Sequence, residues 1–340
     1  MCTFDYVKKN IKNGVYLWGA GANGIWVLDF CHDNGINVVG FIDSDTKKHG
    51  KIFGGVECIS YHEYKERNDN KLVLVVTKHF VNDVLEEHSD DEHFYAFDAW
   101  LAQKYDADYR KLVFEDEKSY RTLDAVLACM KNISVKELYD VAEGKQYFCI
   151  SPFWGKNNET FVDLGAYTGE TAEQFINSVG GSFKKIYAFE PSEKQFNAMQ
   201  IRKKRLCEEW AIEPEKIVTE KCCVGNVNGY LCFDNSTVST NNRISENGSE
   251  QVRSVTIDSY FADKDITFLK ADIEGAELEM LKNGEQVIRR CRPKLAICVY
   301  HRPDDLLNIY RFVNELGLGY KFKLRHHSCE VTETVLYCYI

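Results

Sequence analysis

At 340 residues the chain is longer than one ordinary core of roughly 150 residues requires, so two domains are expected. Its 44% hydrophobic and 28% charged residues are those of a globular protein in water, and no apolar run approaches the ~18 residues of a membrane span. A formal net charge of −10 argues against a nucleic-acid partner, since that attraction rests on clustered Lys and Arg; the one basic run, 202–205, sits in a helical pattern beside Glu208 and Glu209.

The N-terminus carries no hydrophobic signal core, which points to a cytoplasmic protein. Thirteen cysteines are scattered without a C-x-x-C pair, so they read as reduced, packed thiols rather than metal or redox motifs. All five prolines lie at or beyond Pro152, and this change in composition sets a boundary near Ser151.

Residues 1–98 alternate short apolar runs with helical spacing: VYLWG, a helix over 24–32, VVGFID, a turn-rich HGKIFGG, KLVLVV, a helix over 81–87, then FYAFD. Continuous apolar runs between helices predict a parallel sheet covered on both faces. The GAGANG turn, with Gly19, Gly21 and Gly24, follows the first strand and opens a helix, and Asp43 ends the next strand. A tight turn, close backbone approach, a helix N-terminus toward a phosphate and an acid for a ribose hydroxyl make a nucleotide grip. The same turn also serves a doubly wound unit with an empty pocket. GAGANG, GFIDSD and HGKIFGG resemble the small N-terminal Rossmann-like domain of bacterial sugar-nucleotide acyltransferases, which implies a nucleotide or nucleotide sugar as partner.

Residues 99–150 keep helical spacing, as in YRTLDAVLACMKN and VKELYDVAEG, and are expected to form a helical connector. From 151 to 340 the alternation resumes with FVDLG, a helix from Gly169, KIYAFE, a helix over 192–209, KIVTEKCCVG, GYLCF, ITFLKADI, a helix from near Ala276, KLAICVY and a helix over 303–316. The last runs, KFKLRHH and TVLYCYI, are expected to add antiparallel strands. The polar segment 234–251 reads as a lid or a disordered loop. The expected architecture is two doubly wound α/β units joined by helices.

The FVDLGAYTG segment ends a strand at Asp163 and turns on Gly165 and Gly169, and Glu190 ends the neighbouring strand. An acid there can accept two ribose hydroxyls, as nicotinamide sites do. With only two glycines and no G-x-G-x-x-G cradle for a pyrophosphate, S-adenosylmethionine fits better than a dinucleotide. ITFLKADIEGAELEMLKNG then gathers Lys270, Asp272, Glu274 and Glu277 at a strand end, where alternation puts the first three on one side if the strand runs that far. Charge at a helix N-terminus accounts for Glu277 and Glu274 but poorly for Asp272. His301 directly follows KLAICVY at the carboxyl end of its strand, where open sheets bind ligands. A hydrogen-bonded structural histidine is the plain alternative. His326 and His327, in KLRHHS, border the same predicted edge.

FVDLGAYTG, IYAFEP, VTIDSYF and LKADIEGAELEMLKNG together resemble the successive motifs of FkbM-type methyltransferases, from about residue 159 onward. The resemblance implies a class I methyltransferase fold, S-adenosylmethionine as donor, and a small-molecule or glycan hydroxyl as acceptor, usually on a sugar or natural product. It implies that Asp163, Gly165 and Gly169 hold the methionine and ribose end, Glu190 the ribose hydroxyls, and that Asp272 and Glu274 face methyl group and acceptor. Many relatives carry a glutamate near the end of the strand that here reads LAICVYH, so an acceptor contact there is either lost or taken over by His301. Asp272, His301 and His326 or His327 are the candidate bases. A divalent metal on Asp272, Glu274 and a histidine is chemically compatible, although no spacing fixes a metal site. An oligomer is equally compatible.

Two other classes remain open on the residues. A nicotinamide oxidoreductase or epimerase working at GAGANG would need a Tyr-x-x-x-Lys pair after the later strands, yet Tyr61 and Lys65 precede KLVLVV. The third is a nucleotide-binding module without chemistry.

Overall fold

The structure is a computed structural model that describes residues 2–234, 243–244 and 250–340. The suspected lid falls largely outside them.

In the first unit β1 (Val15–Trp18), β2 (Val38–Ile42), β3 (Ile52–Phe53), β4 (Val56–Ile59), β5 (Leu72–Val75) and β6 (Phe94–Ala96) form a six-stranded sheet ordered β3-β4-β2-β1-β5-β6. Every pairing is parallel except β3 with β4. The central strands VYLW and LVLV are buried at all four positions, as a strand covered on both faces must be. HGKIFGG, read as a turn, is instead half of a hairpin whose second strand joins the sheet; strands of two and four residues are too short for periodicity to show.

Four helices follow, Phe97–Lys104, Asp106–Tyr109, Glu117–Asn132 and Lys136–Tyr139. The third is fixed to the far edge of the second sheet. Arg325, 4% exposed, donates to Asp116 at 2.7 Å and pairs with Glu143 at 2.9 Å, and the Leu324 amide donates to Ser119 Oγ at 3.0 Å. Burial works against the Asp116 charge, but Arg325, Ser119 and Lys323 outweigh it and hold the carboxyl well below the usual range.

The second unit contains β7 (Thr160–Leu164), β8 (Lys185–Phe189), β9 (Ile217–Glu220), β10 (Cys223–Val224), β11 (Gly229–Asp234), β12 (Arg243–Ile244), β13 (Glu250–Val255), β14 (Phe268–Ala271), β15 (Lys294–Cys298), β16 (Lys321–His326) and β17 (Thr334–Tyr339). Seven of these make the main sheet, β16-β17-β15-β14-β7-β8-β9, parallel in its body and closed by the expected antiparallel β16 and β17. β10 to β13 form a separate four-stranded sheet. KIVTEKCCVG is therefore two strands in two sheets, β9 ending at Glu220 and β10 beginning at Cys223 beyond the polar TEK. Below the main sheet Phe161 lies between Phe175, at 4.7 Å, and Phe268, at 4.8 Å, all fully buried. Each such burial contributes on the order of 1.5–3 kcal/mol.

The strand order reverses beside β1 in the first sheet and beside β7 in the second. Both glycine turns follow these strands, at the crevices where open α/β sheets take ligands.

Candidate active site

The backbone after β7 runs against the end of β14. Gly165 has φ +72°, and a Cβ there would lie 1.8 Å from the Asp272 carbonyl oxygen, so only glycine fits. Its amide and that of Ala166 donate to Phe189 O at 3.1 and 2.9 Å, tying the turn to β8. Lys270 fastens the same turn from β14, donating to Leu164 O at 3.1 Å and Gly165 O at 2.8 Å, with Asp163 Oδ1 at 3.1 Å. Burial opposes the Lys270 charge, but Asp163 and Asp272 overcome it and raise its pKa. Asp163 is 0% exposed and does not line the cleft. Its carboxylate meets the Lys270 ammonium, which in turn holds the two carbonyls of the turn.

Glu190 extends beyond β8 into the cleft. Its Oε2 accepts from the Tyr167 amide and its Oε1 from the Ser192 amide, both at 2.9 Å. Burial lifts its carboxyl to about 7 against these donors. A carboxylate has about four acceptor positions, so two N–H bonds leave room for two hydroxyls.

β14 stops at Ala271, so the expected alternation does not reach Glu274, which sits at φ +55° in the turn before the helix Glu277–Lys282. Asp272 accepts from Tyr147 Oη on Oδ2 and from Tyr300 Oη on Oδ1, each at 3.0 Å. Burial opposes its charge, but Lys270, His301 and the two hydroxyls outweigh it and lower its pKa. His301, 4% exposed, has Nε2 3.5 Å from Asp272 and 3.7 Å from Glu274, and Nδ1 3.1 Å from Glu277. Burial alone would depress the imidazole; Glu277, Asp272 and Glu274 reverse that and lift it to about 9. Burial also lifts Glu274 to about 7 against the pull of His301. Glu277, fully buried, is oriented by the Ile273 amide at 2.7 Å.

Among the described residues Asp272, Glu277 and His301 bring one potential metal-ligand atom each within 4.8 Å of one another. The sequence had suggested Glu274 in place of Glu277. Glu277 faces Nδ1 while Asp272 and Glu274 face Nε2, so Glu277 can hold the ring in place whether Nε2 meets a proton or an ion.

The other wall of the cleft, about 1050 Å³ in volume, comes from the first unit. Gly19, Gly21 and Gly24 border it, as do Trp26 and Lys78. Trp26 meets the His301 ring edge-on at 6.0 Å, and Lys78 Nζ donates to Tyr300 O at 2.7 Å. A Cβ at Gly24 would lie 2.0 Å from Gly19 O, so this glycine serves the packing of helix on turn. Asp43 Oδ2 accepts from the Ala20 amide at 2.8 Å and from Lys48 at 2.7 Å, so its carboxylate already braces its own turn.

His326, the other candidate base, is held on both sides of its ring. Its Nδ1 meets Thr334 Oγ1 at 2.9 Å and Nε2 the Glu330 carbonyl at 3.0 Å, and burial drives its pKa down to about 4. Both ring nitrogens are engaged; His326 is not among the residues that line the main cleft but borders the cavity next to it. His327 is likewise bound, to Glu143 O and Tyr337 Oη at 2.8 Å each. Tyr147, Tyr300, Trp26 and Lys78 escaped the sequence reading. Tyr300 could have been found as the neighbour of His301 at a strand end, whereas the others arrive from distant segments and leave no local signal.

A parallel sheet with a glycine turn at its switch point, an acid ending the next strand and a polar cluster ending the fourth defines a class I methyltransferase architecture. Residues 163–322 match the methyltransferase FkbM domain, and the protein is an S-adenosylmethionine-dependent methyltransferase. The chain is similar in structure to the methyltransferase FkbM from Methylobacillus flagellatus KT, with 22% identity, 99% of this chain and 92% of that one covered, and a TM-score of 0.61. At that identity the likeness speaks for the fold alone. An rRNA methylase from Streptococcus thermophilus (17% identity, 54% and 86% covered, TM-score 0.33) and the Aeropyrum pernix fibrillarin bound to S-adenosyl-L-methionine (13%, 54% and 67%, 0.34) overlap more loosely. No curated protein matches. No described helix is long and apolar enough to cross a membrane.

Proposed function

We propose that the protein methylates a hydroxyl oxygen on a sugar, glycan or natural product. The observation that carries this reading is the single cleft in which the half-satisfied carboxylate of Glu190 and the Asp272–His301 cluster both open. Glu190 would take the ribose hydroxyls, and the Gly165 turn would admit the methionine end past a backbone without side chain. Gly169 would shape that turn and Asp163 would act through Lys270. Bound there, the sulphonium supplies an electrophilic methyl group.

The acceptor oxygen must lie in line with the S–CH₃ bond and lose its proton as the new C–O bond forms. His301 is the base we assign, entering the reaction in its neutral form and taking the hydroxyl proton on Nε2. Glu277 fixes the ring, and Asp272 and Glu274 stabilise the imidazolium that results. Gly19 and Gly21 would hold the acceptor's other end, and a nucleotide sugar there would extend toward His301. The described cysteines are all unpaired, which suits a cytoplasmic setting.

Calorimetry with S-adenosylmethionine tests the donor assignment: Glu190→Ala should bind far more weakly, and unchanged affinity would refute it. Asp272→Asn and His301→Ala should keep the cofactor and lose turnover; full activity in both would place the chemistry elsewhere.

A further inference from the structure

Behind Tyr300 and His301 the cleft continues into a second chamber of about 340 Å³. Its walls are mostly apolar and drawn from three parts of the chain, Val27 and Leu101, then Val126 and Met130 of the connector, then Val299 and Leu306, with Asn82, Asp98 and His326 among its polar lining. Asn23, Lys78, His79, Tyr300 and His301 border both spaces, so the two meet at the cluster that faces the acceptor. Protein interiors pack at crystal-like density with few voids larger than a water, and an apolar void costs the contacts its lining forgoes. A dry cavity of roughly 150 Å³ lined by aliphatic and aromatic side chains takes up benzene. One of more than twice that size, opening beside the proposed base, has room for a larger group.

We infer that this chamber receives an apolar portion of the acceptor, so that the methylated hydroxyl belongs to an amphipathic molecule with its polar end at Asp272 and His301. The inference rests on the reading that the acceptor hydroxyl meets His301. It narrows the substrate class: a free sugar or a wholly polar nucleotide sugar would leave the chamber unfilled, whereas a glycoside with an aliphatic or aryl aglycone would fill it.

The test uses the full chain and alkyl β-glucosides of one to ten carbons, titrated calorimetrically below their micelle thresholds, with and without S-adenosylhomocysteine. At about 0.8 kcal/mol per buried methylene, affinity should rise roughly three- to four-fold per carbon and level off once the chamber is full. Val126→Trp and Val331→Trp each direct an indole into this space from partly buried positions. Either variant should flatten the slope while S-adenosylhomocysteine affinity stays within two-fold. A wild-type affinity independent of chain length would overturn the inference, as would a slope that survives in both variants. Loss of S-adenosylhomocysteine binding in the wild type would instead count against the donor assignment, since the chain-length series is read without it as well.

Discussion

Lys270 and Asp163 face each other across 3.1 Å at the junction of β14 and β7, with side chains 2% and 0% exposed. The pair sits under the turn that Gly165 makes, and the same ammonium holds two carbonyls of that turn. A buried pair is a weak source of net stability, but removing one partner leaves a charge without compensation. Lys270→Met should therefore cost about 3–5 kcal/mol in urea unfolding and abolish cofactor binding, and adding Asp163→Leu should restore much of the stability without the binding. Equal stability of the single and double variants would show that the charge of Asp163 is not what matters.

Glu190 gives a pH signature. Its folded carboxyl is lifted to about 7 by burial, and the ribose hydroxyls need the charged form as acceptor. Binding then releases a proton below that value, so cofactor affinity should fall as pH drops through 7, by up to about tenfold per unit. Glu190→Gln should bind about tenfold or more weakly and show no such slope. A wild-type affinity flat between pH 5.5 and 8 would count against the assignment.

His301 should impose the opposite demand on turnover. Because the surrounding carboxylates lift it to about 9, most of it is protonated at neutral pH and must discharge to act as base. Turnover under saturating substrate should rise toward pH 9. Glu277→Gln removes the carboxylate nearest Nδ1, which should move that rise to lower pH and reduce the plateau by roughly 10²-fold, with cofactor affinity unchanged. Chelator treatment should leave the rate within two-fold; a loss restored by magnesium or manganese would favour a metal at this cluster.

His326 should matter for stability and not for the cofactor. Its folded pKa of about 4 lies below the usual 6.5, so the unfolded chain binds the extra proton. The stabilisation is present above pH 6.5 and lost on acidification toward 4, amounting to at most about 3 kcal/mol. Urea unfolding of His326→Asn beside wild type should show that pH dependence disappear, with cofactor affinity intact.

Much of this was legible in the residues. Apolar runs between helical spacings located both parallel sheets, and glycine after a strand with an acid ending the next located both crevices, because those patterns follow from local backbone needs. What the sequence hid depends on distant segments. The hydroxyls on Asp272 come from Tyr147 and Tyr300, 125 and 28 residues away. Likewise, Asp163 is partnered by Lys270, 107 residues on, and His326 by Thr334 of β17 and the Glu330 carbonyl, contacts that no local pattern announces.

The near-contact of Gly165 with the Asp272 carbonyl has a mechanical corollary. With no side chain as a cushion, the peptide that frames the donor and the peptide that carries the acid for the acceptor move as one hinge leaf. Acceptor preference is then freer to drift on the opposing wall around Trp26 and Lys78 and in the chamber behind Tyr300, where changes can retune what is methylated and leave the sulphonium's seat undisturbed.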